Sequence, residues 1–529
     1  MSTPTSKIYV CSGVRLNNSY EHTIWFDSEE SQLAYFSGKV ATTFSDYTYL
    51  RKNWDINVKA SMEAARSWSY LYFRNGTGKH YFYFITNLQY INDGMVRLSI
   101  ELDVMQTYMF DYTLLRSFVE REHVADDTVG KHIIDEGLEL GDLRVIDEVE
   151  INLQNLCVLV QATYNPLNTT EENTDTVLAA KYNNVFSGLG IYAVSLSDWQ
   201  AWGTKLKLLD DYGKSDGIIA MWMYPQDLVT LTSGYTWTDG NVCKPVSGIS
   251  SFYKDVARNT KTSGAYTPKN NKLLTYPFNF LYVSNNNGAA AAYRFERFGD
   301  PAACNFRVIG TLSPEGSVRL YPLNYNGLQH NYEEGLQLGD YPTCAWNQDI
   351  YKLWLAQNQN SQAYSNTMAG LKIAAGAVTA GIGAVTGNLM MAAGGASSVA
   401  MGAADIHSLL AQKADIEIQP PQAKGVHSSS VSVANGFHTF AIKWKSIGIE
   451  QAAVIDDFFS MYGYKIHRVK VPNRNVRENW TYTKTIGCHI TGNFCNEDLV
   501  KIESIYNNGI TFWNNGDSIG NYNLSNNTI

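Results

Sequence analysis

The chain has 529 residues, with 41 Lys and Arg against 50 Asp and Glu, so its formal net charge is −9. This length predicts about two to four domains with a sizeable core, and an apolar content of 45% excludes an intrinsically disordered protein. Only 17% of residues are charged and 13% are aromatic, so the composition disfavours a protein that binds nucleic acid through a basic surface.

The cysteines and the N-terminus indicate a protein that folds in a reducing cytoplasm. Seven cysteines are scattered along the chain without a Cys-x-x-Cys pair, which disfavours a disulfide scaffold and a zinc ribbon. The first 20 residues contain no basic segment followed by an apolar run, so we expect no signal peptide.

Residues 1–150 predict an antiparallel β domain. Residues 96–103 alternate between apolar and polar, and residues 81–91 before them are aromatic and β-branched. Asn92-Asp93-Gly94 between these segments predicts a hairpin turn. Residues 76–79, Gly-Thr-Gly-Lys, lack the spacing of a phosphate-binding loop, so we interpret them as a second hairpin turn. The predicted buried face of the later strand consists of Val96, Leu98, Ile100 and Leu102.

Residues 151–300 have a mixed pattern that predicts an inserted α/β subdomain with long loops. Buried strands are expected at 156–163 and 217–223, and Ser197-Asp198 are expected to cap a helix that continues to residue 209. Residues 301–356 return to short strands over 305–323, followed by an amphipathic helix over 349–359.

Residues 373–404 form a run of 32 residues without a charge, of which seven are Gly and eleven are Ala. As a helix, the run would be about 48 Å long, more than one hydrocarbon core of about 30 Å. Its many glycines make an isolated helix unstable in water. Gly and Ala also contribute little favourable free energy of transfer from water into a bilayer. The run therefore favours a segment that enters a membrane only under some conditions over a permanent membrane anchor. In water its apolar residues would be covered inside an assembly, and in a bilayer its backbone would be helical.

This segment, with flanks that extend it to residues 357–424, holds the candidate functional residues. The buried core of a helical bundle and a flexible linker are the alternative interpretations, although bundles favour Leu and Ile, and linkers favour Ser and charge. The residues predicted to insert into a membrane are Leu371, Ile373, Val378, Ile382, Val385, Leu389, Met390, Met391, Val399 and Met401. The residues predicted to allow close helix packing are Gly376, Ala380, Gly383, Ala384 and Gly387, and those at the exit of the loop are Pro420, Pro421 and Gly425.

Residues 425–529 predict a last β domain with two helices, one over 450–461 and one over 496–506. Asn508-Gly509 is a typical helix end, and a strand is expected at 510–513.

Other candidate sites are weak. The polar residues within 123–136 (His123, Asp126, Asp127, His132, Asp135 and Glu136) match no metal-ligand spacing, so we expect hydrogen bonding in a loop and no metal or cofactor. Cys488-His489 with Cys495 lacks a fourth ligand, and a buried Cys in a strand is the expected alternative. The basic run Lys465, His467, Arg468, Lys470, Arg474 and Arg477 predicts a solvated or inter-subunit face. No hydrolase motif is found, so we expect no enzyme.

Several segments resemble one family, the distal tube or tail knob proteins of small short-tailed phages. These phages have protein-primed genomes and infect Gram-positive bacteria. The segments are 102–111, 118–124, 135–138, 462–470 and 508–511, and the uncharged run followed by Ala414-Asp415 and Pro420-Pro421 lies where that family has its hydrophobic loop. The resemblance is strongest over 1–140 and 345–525.

The resemblance implies a mainly β (α+β) fold in which antiparallel β domains of six identical subunits form a tube at the tail tip. It implies that the hydrophobic loops plug the lumen in the virion and then form a channel for genome DNA in the host cytoplasmic membrane. The partners it implies are the upper tail or lower collar protein, membrane lipids, and DNA that passes without sequence-specific binding. Two other hypotheses stay open: a structural or receptor-binding tail protein whose aromatic loops bind cell-wall glycans, and a cell-wall hydrolase.

Overall fold

The computed structural model describes residues 7–45, 47, 55–163, 165–167, 181–182, 185–186, 190–211, 218–286, 288–299, 303–313, 317–338, 343–344 and 439–529. These residues are mainly β, and nearly all of their strand pairs are antiparallel, which confirms the predicted fold class. They divide into two compact units, and the chain passes from the first to the second and back twice.

Unit 1 consists of the described residues of Met1–Asp142, Ala265–Pro277 and Ile447–Ile529. Numbered in chain order over both units, its strands are β1 (Ile8–Ser12), β2 (His22–Ile24), β3 (Val40–Phe44), β4 (Asp55–Val58), β5 (Trp68–Arg74), β6 (His80–Asn92), β7 (Met95–Leu102), β8 (Tyr112–Leu114), β9 (Ser117–Glu122), β26 (Tyr464–Lys470), β27 (Trp480–Ile486), β28 (Ile490–Gly492) and β29 (Ile510–Trp513). Its helices are α1 (Glu29–Ser37), α2 (Met62–Ala65), α3 (Val104–Thr107), α5 (Ile449–Tyr462) and α6 (Asn496–Asn508).

The first sheet of unit 1 has the strand order β3-β1-β5-β6-β7-β4. Both predicted hairpins lie in it: β6 pairs with β7 on either side of residues 92–95, and β5 pairs with β6 around residues 75–79. The apolar residues of β7 (Val96, Leu98, Ile100 and Leu102) are all buried while their neighbours are partly exposed, so the predicted alternation is confirmed. The core below this sheet is aromatic, and the Phe36 ring of α1 stacks on Tyr70 with 5.1 Å between centroids.

The second sheet of unit 1 joins distant parts of the sequence in the order β2-β29-β27-β9-β26. Strand β9 lies between β27 and β26 and is antiparallel to both, while β2 is parallel to β29. Helices α5 and α6 cover the predicted ranges, and α6 ends before Gly509, whose N–H donates to Ile505 O at 3.1 Å. The predicted strand 510–513 is β29.

Unit 2 consists of the described residues of Leu143–Gly264 and Phe278–Ser446. Its strands are β10 (Leu143–Asn152), β11 (Leu156–Ala162), β12 (Lys181–Tyr182), β13 (Val185–Phe186), β14 (Gly190–Ser195), β15 (Ile218–Pro225), β16 (Val229–Leu231), β17 (Lys244–Ile249), β18 (Ser251–Ala257), β19 (Asn279–Ser284), β20 (Ala290–Tyr293), β21 (Ala303–Gly310), β22 (Val318–Pro322), β23 (Leu336–Leu338), β24 (Thr343–Cys344) and β25 (Thr439–Ile447), and its helix is α4 (Trp199–Asp211). The larger sheets run β16-β17-β14-β11-β15-β24, β10-β25-β19-β20 and β18-β21-β22-β23.

Strand β11 is the predicted buried strand, and all of its residues except the partly buried Gln161 are apolar, because both of its faces are covered. Leu156 and Leu159 belong to the large core of unit 2, whereas Val158 and Val160 pack with Trp202 of α4. The strands predicted at 217–223 and 305–323 are present as β15, β21 and β22. The predicted cap of α4 is wrong in detail, since Leu196–Asp198 form a 3-10 turn that leads into the helix.

Candidate functional site

The predicted membrane-active loop, residues 357–424, lies outside the described residues. The same is true of each residue predicted to insert, to pack between helices or to mark the loop exit, and of the helix predicted at 349–359. In the part of the chain that is described, no helix is both long enough and apolar enough to cross a bilayer. The described candidate residues are those of the polar segment 123–136, of the basic run 465–477, and Cys488, His489 and Cys495.

His123 directly follows β9 and is buried with both ring nitrogens occupied. Its Nδ1 accepts from the Tyr482 N–H at 2.8 Å, which fixes the proton on Nε2, and Nε2 then donates to Ser460 O at 3.1 Å. Burial, with a smaller effect of the Arg477 charge, lowers the pKa of His123 to about 3. The imidazole is therefore neutral and structural, and neither nitrogen is free for a metal.

The remaining acidic residues of this segment also have protein partners. Asp126 pairs with Lys131 and accepts from the Thr128 N–H at 3.0 Å. Asp127 accepts from Tyr464 Oη at 2.6 Å and from the Asn271 N–H at 3.1 Å. The Asp126 contacts lie within the loop, whereas the Asp127 contacts connect the loop to Asn271 and Tyr464.

Glu136 is the most connected of these carboxylates, with a side chain that is 0% exposed. It pairs with Arg121 of β9 and with Lys272, and it accepts from the Lys465 N–H at 2.9 Å. Burial lowers the pKa of Lys272 although the Glu136 carboxylate opposes this shift. The cluster joins three distant chain segments within unit 1, so its geometry is structural.

No group of three or more His, Cys, Asp and Glu among the described residues is arranged to hold a metal ion. Cys488 is buried, but it lies between β27 and β28, so its predicted strand position is wrong, and Cys495 is exposed at the start of α6. The two cysteines therefore occupy different environments.

The basic run divides into three environments. Arg477 is 5% exposed, and the Arg474 guanidinium lies 4.7 Å from the Trp25 ring centroid, so both side chains contribute to packing. Lys470 pairs with Glu122 at 2.5 Å. Lys465 and Arg468 line a surface cavity of about 540 Å³.

The sequence interpretation missed Asp456, a fully buried carboxylate on α5. It accepts from Tyr266 Oη at 2.8 Å, from the Lys269 N–H at 2.7 Å and from the Asn270 N–H at 3.0 Å. The available signal was its spacing, because Asp456 lies on the helix stripe that also holds Ala452, Ile455 and Phe459. A charge on an apolar stripe indicates a buried partner.

Known proteins resemble this chain over nearly its full length. Tail knob protein gp9 of Bacillus phage phi29 is 26% identical, covering 98% of this chain and 98% of the relative. The tail knob proteins gp9 of Bacillus phages B103 and PZA are 25% and 26% identical with the same coverage. The solved structure of the bacteriophage C1 tail knob protein, gp12, has a TM-score of 0.63 at 14% identity, covers 99% of this chain and 100% of that one, and shows the same fold.

Two family descriptions match separate parts of the chain. The N-terminus of caudoviral major tail proteins matches residues 4–113. The C-terminal domain of tail knob protein gp9 of Bacillus phage phi29 matches residues 244–527, which is more than half of the chain. The resemblance found in the sequence is thereby confirmed, and the chain belongs to the phage tail knob protein family.

Proposed function

We propose that this protein forms a homohexameric tube at the tip of a phage tail, and that its hydrophobic loops open a path for genome DNA through the host cytoplasmic membrane. As a member of the tail knob family, the chain is a structural component of the virion tail. The loops at residues 357–424 plug the lumen before infection and leave it at the membrane. The observation that carries the proposal is the uncharged run 373–404.

The composition of the run fits a segment that changes its surroundings. Inside a lumen the loops of six subunits shelter one another's apolar side chains from water. In a bilayer the backbone has no water to bond, so it becomes helical. The row of Gly376, Ala380 and Ala384 then allows neighbouring helices to approach closely, so that several copies surround a pore.

The charge of the chain fits a conduit for DNA. A net charge of −9 repels phosphate on average, so a passing duplex is not held by the wall. The upper end of the tube joins the upper tail or lower collar protein of the same virion. A lumen lined mainly by Lys and Arg would contradict this part of the proposal.

Dye release from liposomes tests the pore. We expect the purified protein to release a trapped dye once its loops are freed, and a variant lacking residues 367–404 to release none. Ile382→Asp within the run should lower the release at least severalfold, because a charge at mid-membrane costs about 3 kcal/mol. The matched control is Ile486→Asp, the same substitution at a side chain that is 57% exposed in β27, and its release should equal that of the wild type.

Equal dye release from the wild type and the deletion variant, or no release from either, would contradict the proposal that these residues form a pore. Negative-stain images of both proteins separate this outcome from a failure of assembly. A deletion variant that still forms rings but releases no dye assigns the release to the run.

A further inference from the structure

A cavity beside β26 is lined in part by charged side chains, and some of these form no ion pair within the described residues. Its wall is formed by the end of β9, the loop that follows it, strand β26 and Asn473. Its volume of about 540 Å³ is in the range of small-molecule sites in proteins. Five of its 13 lining residues are apolar, and two of these, Ile133 and Ile134, are 46% and 38% exposed.

The charges in the wall do not cancel. Two cations have acidic partners, since Lys131 pairs with Asp126 and Lys470 with Glu122. Glu122 is satisfied further by the Asn473 N–H at 2.9 Å. The other two cations, Lys465 and Arg468, form no ion pair within the described part of the chain, so the cavity has an excess of two positive charges.

An irregularity in β26 brings these two cations into one cavity. In a regular strand, Lys465 and Arg468 would lie on opposite faces, because they are three residues apart. The pairing with β9 shifts by one residue between them, and His467 has φ +44. An inserted residue of this kind reverses the alternation of the strand, so residues on either side of it share a face. Both Lys465 and Arg468 line the cavity.

We propose that this cavity binds a small organic phosphate, with the phosphate between Lys465 and Arg468 and the carbon part against Ile133 and Ile134. A phosphate monoester carries close to two negative charges at neutral pH, which match the two unpaired cations, whereas a carboxylate carries one. The Arg468 guanidinium offers a planar pair of N–H donors that suits phosphate oxygens. The Lys465 ammonium adds a second charge.

Titration calorimetry of the full chain with glycerol 3-phosphate tests the proposal. We expect saturable binding with one site per chain, and binding weakened about tenfold or more in Arg468→Gln and in Lys465→Gln, because each removes a charge-assisted hydrogen bond. Neither substitution changes a buried charge, and matching thermal unfolding checks the fold. The matched control is Arg116→Gln, which removes an exposed charge outside the cavity and should bind like the wild type.

Three further probes define the ligand. Glycerol should not bind, and inorganic phosphate should bind more weakly than glycerol 3-phosphate because it makes no apolar contact. Unchanged binding in both cavity variants, or no saturable binding of glycerol 3-phosphate, would overturn the proposal. Tighter binding of an oligothymidylate of about ten nucleotides, lost in Arg468→Gln, would overturn it as well by assigning the cavity to polymer phosphate.

Discussion

His123 shows how a single buried residue makes the stability of unit 1 depend on pH. The neutral ring accepts one hydrogen bond at Nδ1 and donates another from Nε2. Protonation of Nδ1 would remove the lone pair that accepts the first of these hydrogen bonds. Its pKa falls from the ordinary value of 6.5 to about 3 because the ring is buried. Between these values the unfolded chain binds a proton that the folded chain does not, so stability is lost as the pH falls.

We therefore predict that His123→Gln flattens the pH dependence of unfolding. In the wild type, this residue alone lowers the free energy of unfolding by up to about 1.4 kcal/mol per pH unit below pH 6.5. Denaturant unfolding of both proteins at pH 7, 6 and 5 measures the slope. The control is His489→Gln at an exposed histidine, which should keep the slope of the wild type, and equal slopes in all three proteins would contradict the prediction.

At the scale of elements, the junction between α5 and β26 depends on a glycine. Gly463 ends the helix with φ +66, and its N–H donates to Phe459 O at 2.8 Å. A Cβ built there would lie 2.2 Å from Glu122 O and 2.5 Å from His123 N, both backbone atoms. The close approach lets β26 pair with β9 at Glu122, next to the buried histidine.

We predict that Gly463→Ala destabilises the protein by about 3 kcal/mol or more, since it combines the cost of a left-handed alanine with a backbone clash. The matched control is Gly487→Ala, with φ +64 and no atom within 4 Å of the new Cβ. It should cost only about 1–2 kcal/mol. Thermal unfolding of the two variants measures the difference, and similar losses would show that the clash is relieved.

Local elements could be predicted from the sequence, and long-range partners could not. The β6–β7 hairpin, β11 and α6 follow from alternation, apolar runs and end signals that lie within about fifteen residues. Nothing local indicates that Ala265–Pro277 belongs to unit 1 or that Lys272 meets Glu136. Asp456 had a local signal in its helix stripe, but its partners are about 190 residues away.

At the scale of the whole molecule, only 17% of the residues are charged, and several large apolar residues are exposed on the surface of the described part of the chain. Strand β10 lies at the edge of its sheet among the described strands, and Val145 and Ile146 on it are 49% and 37% exposed. The strand also carries four charged residues, Arg144, Asp147, Glu148 and Glu150. An exposed edge strand has unpaired backbone groups with which another chain can pair. Such surfaces support the proposed association of several subunits.

We predict that the purified chain assembles into rings of six whose interfaces are mainly apolar. Negative-stain class averages should show sixfold symmetry, and the rings should persist in about 1 M salt, because screening weakens only charge-based contacts. A protein that stays monomeric at micromolar concentration would contradict the hexamer. Rings that dissociate in high salt would contradict the apolar interface alone.

Strand β9 lies between β26 and β27, which are synthesised much later, so the sheet forms only near the end of translation. This sheet cannot close until residues 464–513 have left the ribosome, and residue 404 emerges 109 residues before residue 513. At the usual pace of translation, the interval lasts roughly 5–20 s. For that time each nascent chain has released its long uncharged run while unit 1 is unfinished, so we expect chaperones or neighbouring chains on the same polysome to shield the run.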